Sequence, residues 1–374
     1  MWKVSTLADT CKMYQPKTIS TKEMKEDGEY VVYGANGIIG KYDMYNHAEP
    51  QLLVTCRGAT CGAVNISQAF SWINGNAMVI QPDPERVSLR FMEYLFKGGI
   101  DLSRAITGSA QPQITRQSLN NIEFSYPPIV EQNRTVAKLD AAFAVIDEAI
   151  AVTNENVQNT KGLINSALAE VFSAEAESWG SKRLGDTCLV ERGSSPRPIK
   201  KYVTDGDGVN WIKIGDTEVD GKYVNVTSQK ITFEGAKKSR LVQAGDFILT
   251  NSMSYGRPYI MAIDGCIHDG WFALKLNDEI DAEYFYYVLA SPFVQNQFHK
   301  LAAGAVVKNI SGDLVKRAML PIPPINRQIE IRNKILEIEA HSKAATESYT
   351  EKSRQLKTLK LAILAKELNP SEVA

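Results

Sequence analysis

Five residues near the N-terminus, Trp2, Leu7, Asp9, Thr10 and Cys11, return with the same spacing as Trp179, Leu184, Asp186, Thr187 and Cys188, an offset of 177. Further along, Leu53-Val54-Thr55 before Gly62 is echoed by Ile248-Leu249-Thr250 before Gly256, and Phe91, Tyr94 and Leu95 by Tyr284, Tyr287 and Val288. Gly108, Ile114 and Pro127-Pro128-Ile129 with Gln132 return as Gly304, Ile310 and Pro323-Pro324-Ile325 with Gln328, now at an offset of 196. Matches in a fixed order at about half the chain length require two copies of one structural plan. The offset grows by 19 residues along the copy. The growth places insertions early in the second copy, between Arg192 and Lys230. The total of 374 residues also asks for two or three domains.

Each copy has the same internal order. It opens with β-like runs, Glu29 to Tyr33 and Gln51 to Thr55 in the first and Val209 to Ile214 and Asp246 to Thr250 in the second, separated by Gly, Asn, Asp and Pro turn signals. It closes with a Pro-Pro stop and about 44 residues without proline. In the first such stretch Leu139, Phe143, Ile146, Ile150, Thr153, Val157, Thr160, Ile164, Ala167 and Val171 keep a 4-3 spacing, the mark of a helical heptad seam. The second stretch has a comparable seam at Ile331, Ile335, Ile338, Ser342, Ala345, Tyr349, Lys352, Leu356, Leu359 and Ile363. A lone helix of ~66 Å would leave its seam in water, so each is expected to cover the other. Charge agrees with that pairing. Residues 128–178 carry three basic against eight acidic side chains, residues 321–374 nine against seven.

The chain as a whole is nearly neutral, with 42 Lys+Arg and 43 Asp+Glu. No whole-molecule field advertises a polyanionic partner, although local segregation can supply one. Five scattered cysteines, an odd number, argue against a disulfide scaffold, and a reducing cytoplasm is the expected compartment. Cys56 and Cys61 lack the companions a zinc site needs. The stretch Ala141 to Val152, the most apolar near membrane length, is broken by Asp147 and Glu148, so no membrane partner is expected.

The repeated plan of variable mixed segment, Pro-Pro-Ile with a following Gln, and long helix resembles the specificity subunits of type I restriction-modification systems. Tyr33-Gly34-Ala35-Asn36-Gly37-Ile38-Ile39-Gly40-Lys41 is similar to a glycine turn of one target-recognition class, and Trp211-Ile212-Lys213-Ile214-Gly215-Asp216 and Ala244 to Ser252 to segments of another. The resemblance covers nearly the whole chain. It implies that each mixed segment is a DNA target-recognition domain and that the helices pair antiparallel as a spacer. It also implies that methyltransferase and translocase-nuclease subunits are separate chains.

The residues themselves offer no catalytic apparatus. Ser125-Tyr126-Pro127-Pro128-Ile129 lacks the Asn or Asp before the prolines and the aromatic after them that amino-methyltransferases use; prolines here suit a helix start. Gly34, Gly37 and Gly40 do not form the dinucleotide fingerprint, and no phosphate-binding P-loop occurs. Of four histidines none has metal spacing, and His268 beside Asp269 suits a core or groove-edge position better than an acid–base pair. No cofactor is expected.

What remains is recognition from turns. Forked or bidentate groups separate base pairs in the major groove, Arg and Lys at guanine, Asn and Gln at adenine. In the first copy the candidates are Asn36 and Lys41, Arg57 and Thr60 on a Gly-hinged turn, and Gln111, Gln113 and Arg116 around Pro112. In the second they are Arg192, Ser194 and Arg197, then Lys213, then Asn251, Ser252, Ser254, Tyr255 and Arg257, then Lys308 and Asn309. Hydroxyl-rich glycine turns also suit phosphates.

The sequence therefore implies an α+β chain with two β-rich target-recognition domains in tandem repeat, residues 1–127 and 179–320. Two long helices, residues 128–178 and 321–374, join them as an antiparallel coiled coil. The expected function is non-catalytic reading of a bipartite, asymmetric double-stranded DNA target, in complex with two methyltransferase subunits and with restriction subunits. The alternative is a protein-binding adaptor with two β-rich modules on a rod. Salt-dependent, sequence-selective duplex binding separates the two, since only DNA binding releases counterions.

Overall fold

The computed structural model describes residues 2–108, 111–174, 179–218, 221–251, 256–303 and 310–369. They form two units, one of residues 1–154 with 350–374 and one of residues 155–349. In the first unit a sheet runs in the order Cys11–Tyr14, Ala77–Pro82, Leu52–Thr55, Val64–Ile66, all antiparallel. Leu52 and Val54 face a large core with Leu7, Phe91 and Leu139, while Leu53 and Val79 face a smaller one with Tyr33 and Ile73. The alternation follows from the two-residue period of a strand. Apolar residues on both faces make Leu52–Thr55 a fully buried central strand. A second sheet pairs Gly37–Tyr42 with Tyr30–Gly34, and the latter runs parallel to Trp72–Ile73.

The second unit repeats this plan and enlarges it. Its main sheet has the order Cys188–Arg192, Trp271–Leu276, Phe247–Thr250, Pro258–Met261, Tyr223–Val224. Its second sheet orders Val203–Thr204, Gln229–Ile231, Val209–Ile212, Gly265–Ile267 and Arg240–Val242, with Val209–Ile212 parallel to Gly265–Ile267. Val203–Thr204 and Tyr223–Val224 lie inside the interval where the growing offset places the insertions.

Equivalent hydrogen bonds carry the repeat into three dimensions. Leu7 N donates to Ile122 O and Leu184 N to Ala318 O. Gln132 and Gln328 are both buried and act alike. The Gln132 side chain accepts from Ser88 N and donates to the Arg86 and Pro127 carbonyls. That of Gln328 accepts from Asp281 N and donates to Pro323 O. Ser88 and Asp281 cap the helices Leu89–Tyr94 and Ala282–Ala290. Each glutamine thus ties a capped helix start to the chain entering a long helix.

The long helices are Ile129–Ala174 and Ile325–Leu368, each beginning directly after its proline pair. In the first unit Lys138 meets Glu367 at 2.5 Å, Asp147 meets Lys360 at 2.6 Å, and Asn154 accepts from Ser353 at 3.1 Å. Numbers rise on one helix as they fall on the other, so the pair is antiparallel. In the second unit Ser342 Oγ donates to Thr160 O at 2.8 Å.

The seams follow the expected positions at first and then slip. Leu139, Phe143, Ile146, Thr153 and Thr160 are buried, but Leu168 and Phe172 then replace Ala167 and Val171 as the most buried positions. On the second helix Ile331, Ile335 and Ser342 are buried as expected. Ser353, Leu364 and Leu368 follow, while Lys352 and Leu359 are exposed. A heptad period of 3.5 falls about 20° per heptad behind a straight helix, so about five heptads accumulate one residue. Ile331, Ser342, Ser353 and Leu364 stand eleven residues apart, close to the natural helical period, and correct the strict heptad.

One glycine shows how closely the second unit is packed. A Cβ on Gly193 would lie 2.1 Å from the His268 carbonyl oxygen, which the backbone holds in place. Gly193→Ala is therefore expected to lower stability by about 1–3 kcal/mol, the usual range for overpacking. Urea unfolding would measure it; an unchanged midpoint would refute the contact.

Candidate nucleic-acid interface

In the first unit the fold joins two turns that are more than fifty residues apart in sequence. Thr55 N donates to Ala63 O, and Gly62 N returns to Thr55 O, closing the turn that carries Arg57 and Thr60. Gly58 and Gly62 sit at φ +87° and +88°, a region glycine enters without strain. Arg57 then pairs with Gln113 as an isolated antiparallel bridge, with Gly58 N donating to Pro112 O and Ile114 N to Cys56 O. Arg57, Gly58, Gln111, Pro112 and Gln113 line a cleft of about 400 Å³. Arg57 also edges a neighbouring one with Gln15, Ala35 and Asn76.

Asn36 belongs to this group. Its side chain accepts from Asn65, and Thr55 Oγ1 donates to the adjacent Ala35 carbonyl at 2.5 Å. Arg116 is exposed at the start of the short helix Arg116–Asn120, whose amide groups Thr115 caps. Lys41 is not gathered in. It lies five residues along the Gly37–Tyr42 strand from the Asn36 turn, ~17 Å at strand rise.

The second unit rebuilds the junction. Thr250 N donates to Arg257 O, Gly256 N to Thr250 O and Ile310 N to Asn251 O, matching the bonds of Thr55, Gly62 and Ile114. Arg257 stands where the first unit has Ala63. Ser252, Ser254, Tyr255, Lys308 and Asn309 lie outside the described residues.

Asp269 organises the remaining candidates of this unit, and the sequence reading assigned it no such role. Its carboxylate accepts from Ser195 Oγ at 2.6 Å and Arg197 Nη2 at 3.4 Å. Its carbonyl accepts from Asn251 Nδ2 at 2.7 Å and Arg192 Nε at 3.3 Å. The Ser195 hydroxyl is the main reason its carboxyl is held below the usual range. Ser194 is anchored through its backbone, N–H to Ile267 O and carbonyl accepting from Ser239 Oγ. Lys213 N donates to Asp216 Oδ2 at the head of the turn Ile214–Asp216.

His268 is a packing residue. Its ring lies between Trp211 and Trp271, Nδ1 accepts from Gly270 N, and burial holds its pKa below the ordinary value. An imidazole whose Nδ1 is occupied and whose charged form burial disfavours is a poor proton shuttle. The five cysteines are unpaired; burial raises Cys11 to about 11 and Cys188 to about 12. Among the described residues no cluster of His, Cys, Asp or Glu could hold a metal ion, and no helix is long and apolar enough to cross a membrane.

The sequence matches the family described as Type I restriction modification DNA specificity domain over residues 1–158 and again over 176–348. A putative type I restriction enzyme MjaX specificity subunit from Methanocaldococcus jannaschii is 23% identical over 71% of this chain, and the match spans 64% of that protein's length. The EcoBI specificity subunit of Escherichia coli is 22% identical over 79% of this chain and 68% of that one. Among solved structures, one describing complex assembly and conformational transition of the type I R-M system superposes with a TM-score of 0.75 at 20% identity. It covers 99% of this chain and 98% of that one. The HsdS subunit from Thermoanaerobacter tengcongensis gives 0.59 at 20% identity, covering 99% and 97%.

Proposed function

Because this chain belongs to the type I restriction-modification DNA specificity family, we propose that its two units each read one half of a bipartite, asymmetric double-stranded DNA target. As a specificity component it recognises DNA rather than catalysing. In the proposed assembly it positions two methyltransferase subunits and the restriction subunits on that DNA, in the cytoplasm. The proposed domain limits are residues 1–127 and 179–320 for the readers, with residues 128–178 and 321–374 as the spacer between them.

The observation that carries this reading is the repeated junction of turns. Equivalent backbone bonds at Thr55, Gly62 and Ile114 and at Thr250, Gly256 and Ile310 hold different side chains: Arg57, Gln111 and Gln113 in one unit and Arg257 in the other, where the candidate Asn251 is buried and spends its amide on the Asp269 carbonyl. A common scaffold with unlike reading groups is what two unlike half-sites require. The other proposed contacts are Asn36, Lys41, Thr60 and Arg116 in the first unit and Arg192, Ser194, Arg197, Lys213, Ser252, Ser254, Tyr255, Lys308 and Asn309 in the second.

Arg57→Ala or Arg116→Ala should weaken discrimination in one half-site by about 1–3 kcal/mol per lost bidentate contact, and Arg257→Ala only in the other. Selection from duplexes with both half-sites randomised would measure this. Loss of selectivity in both half-sites from one substitution would contradict the assignment.

Alone, the chain should neither bind S-adenosylmethionine nor transfer a methyl group to DNA. Methyl transfer by the purified chain would overturn that expectation. Methylome sequencing of a host carrying the intact system tests the central reading: it should show one split, non-palindromic methylated motif that disappears with this gene.

A further inference from the structure

We propose that Arg197, braced by Asp269, reads a guanine in the half-site of the second unit; the inference rests on the DNA-recognition reading above. Three observations meet here. First, the Arg197 side chain is 81% exposed, yet one nitrogen is tethered to the Asp269 carboxylate. Its other N–H groups have no partner among the described residues. The fork is therefore oriented and still has donors to offer.

Second, the brace is itself fixed. Asp269 is pinned by Ser195 through its carboxylate and by Asn251 through its carbonyl. The loop bearing Arg197 is stapled by Ser194 N–H on Ile267 O and by Ser239 on Ser194 O. Gly193 packs directly against the His268 carbonyl. The brace and the backbone that carries Arg197 are thus fixed before binding, so that only the Arg197 side chain itself has freedom left to lose.

Third, charge decides what the fork can meet. A phosphate brought to Arg197 would also approach the ionised Asp269, and that repulsion offsets the attraction. A guanine edge presents two neutral acceptors, O6 and N7, spaced for a guanidinium fork. The carboxylate opposes the charged phosphate more strongly than the neutral guanine edge. Arg57 in the first unit has no carboxylate partner among the described residues, so the device is specific to the second.

The test uses the full chain in its native complex and a duplex library with both half-sites randomised. Wild type should select guanine at one position of the second unit's half-site. Arg197→Lys keeps the charge and removes the fork, and should reduce that preference about tenfold while leaving the other positions unchanged. Asp269→Asn should reduce the same preference and leave binding to unrelated DNA equal or tighter, because a negative charge is gone. A purely structural role would instead lower affinity for all sequences together. Should the library select a motif while Arg197→Lys, which is exposed and folds, leaves every position unchanged, the guanine assignment falls and the recognition reading stands. Absence of any selected motif with wild type removes both.

Discussion

Replacing Gln132 with leucine is expected to lower the unfolding free energy by about 3 kcal/mol, although the two side chains are similar in size. The amide is fully buried and serves Ser88 N–H and the Arg86 and Pro127 carbonyls, all at 2.8–2.9 Å. Leucine would leave one donor and two acceptors dry. Each unsatisfied group costs about 1–3 kcal/mol, and burial of the leucine returns part of the sum. Gln328→Leu should act in the same way on the second unit through Asp281 N and Pro323 O. The two losses should add, since the sites share no partner. Urea titration of the single and double variants would measure them; a loss under 1 kcal/mol would mean that water replaces the amide.

A four-residue helical insertion between Thr153 and Thr160, matched by one near Ala345, should lengthen the preferred DNA spacer by about one base pair. One added base pair moves a half-site ~3.4 Å along the duplex and turns it ~35°, another ~6 Å of arc at a radius of about 10 Å, or ~7 Å in total. Four helical residues add ~6 Å and turn the following chain by ~40°. The insertion points fall where the units divide, near Asn154 and Tyr349, so the contacts within each unit are spared. Binding to the original spacing should fall roughly a hundredfold or more, as one half-site loses its specific share. Selection from targets of variable spacer would show the shift. An unchanged spacer in a folded variant would end the role of the helices as a ruler, and altered half-sites would show that they shape the reading surfaces.

The repeat was legible because the same bonds are made twice. Thr55 and Thr250, with Gly62 and Gly256, occupy equivalent ladders, so the matches between copies mark real structural equivalents. The strands fall within a residue or two of the expected runs, for instance Tyr30–Gly34 against Glu29 to Tyr33. Late in the seams the most buried positions shift by one residue for a geometric reason: Leu356 and Leu359 keep the heptad in sequence, but a straight helix turns slightly less per residue than a heptad requires. Gln132 and Gln328 were visible as repeated letters, yet nothing local says that an amide will reach back to Ser88 or Asp281.

The candidate sites divide the same way. Residues on one turn, such as Arg57 and Thr60, could be grouped by reading along the chain, and the repeat aligned Lys308-Asn309 with Pro112-Gln113. The bridge from Arg57 to Gln113 and the gathering of Arg192, Arg197 and Asn251 around Asp269 depend on long-range pairing. Asp269 carries no local signal of its own, since beside His268 it reads only as part of a core or groove edge.

The first unit is closed by the last turns of the helix Ile325–Leu368. Leu364 and Leu368 complete a core with Leu139, Phe143 and Ile146, and Gly98 and Gly99 leave room for them, a Cβ on either coming within about 3.2 Å. At ~5–20 residues per second, some 10–40 s of synthesis separate the two sides of that core. Through that interval the nascent unit shows water, and any neighbouring chain, an apolar face with no cover. A stop codon after Lys357 would consequently cripple a core whose other side, Leu139 to Ile146, is encoded more than two hundred residues earlier.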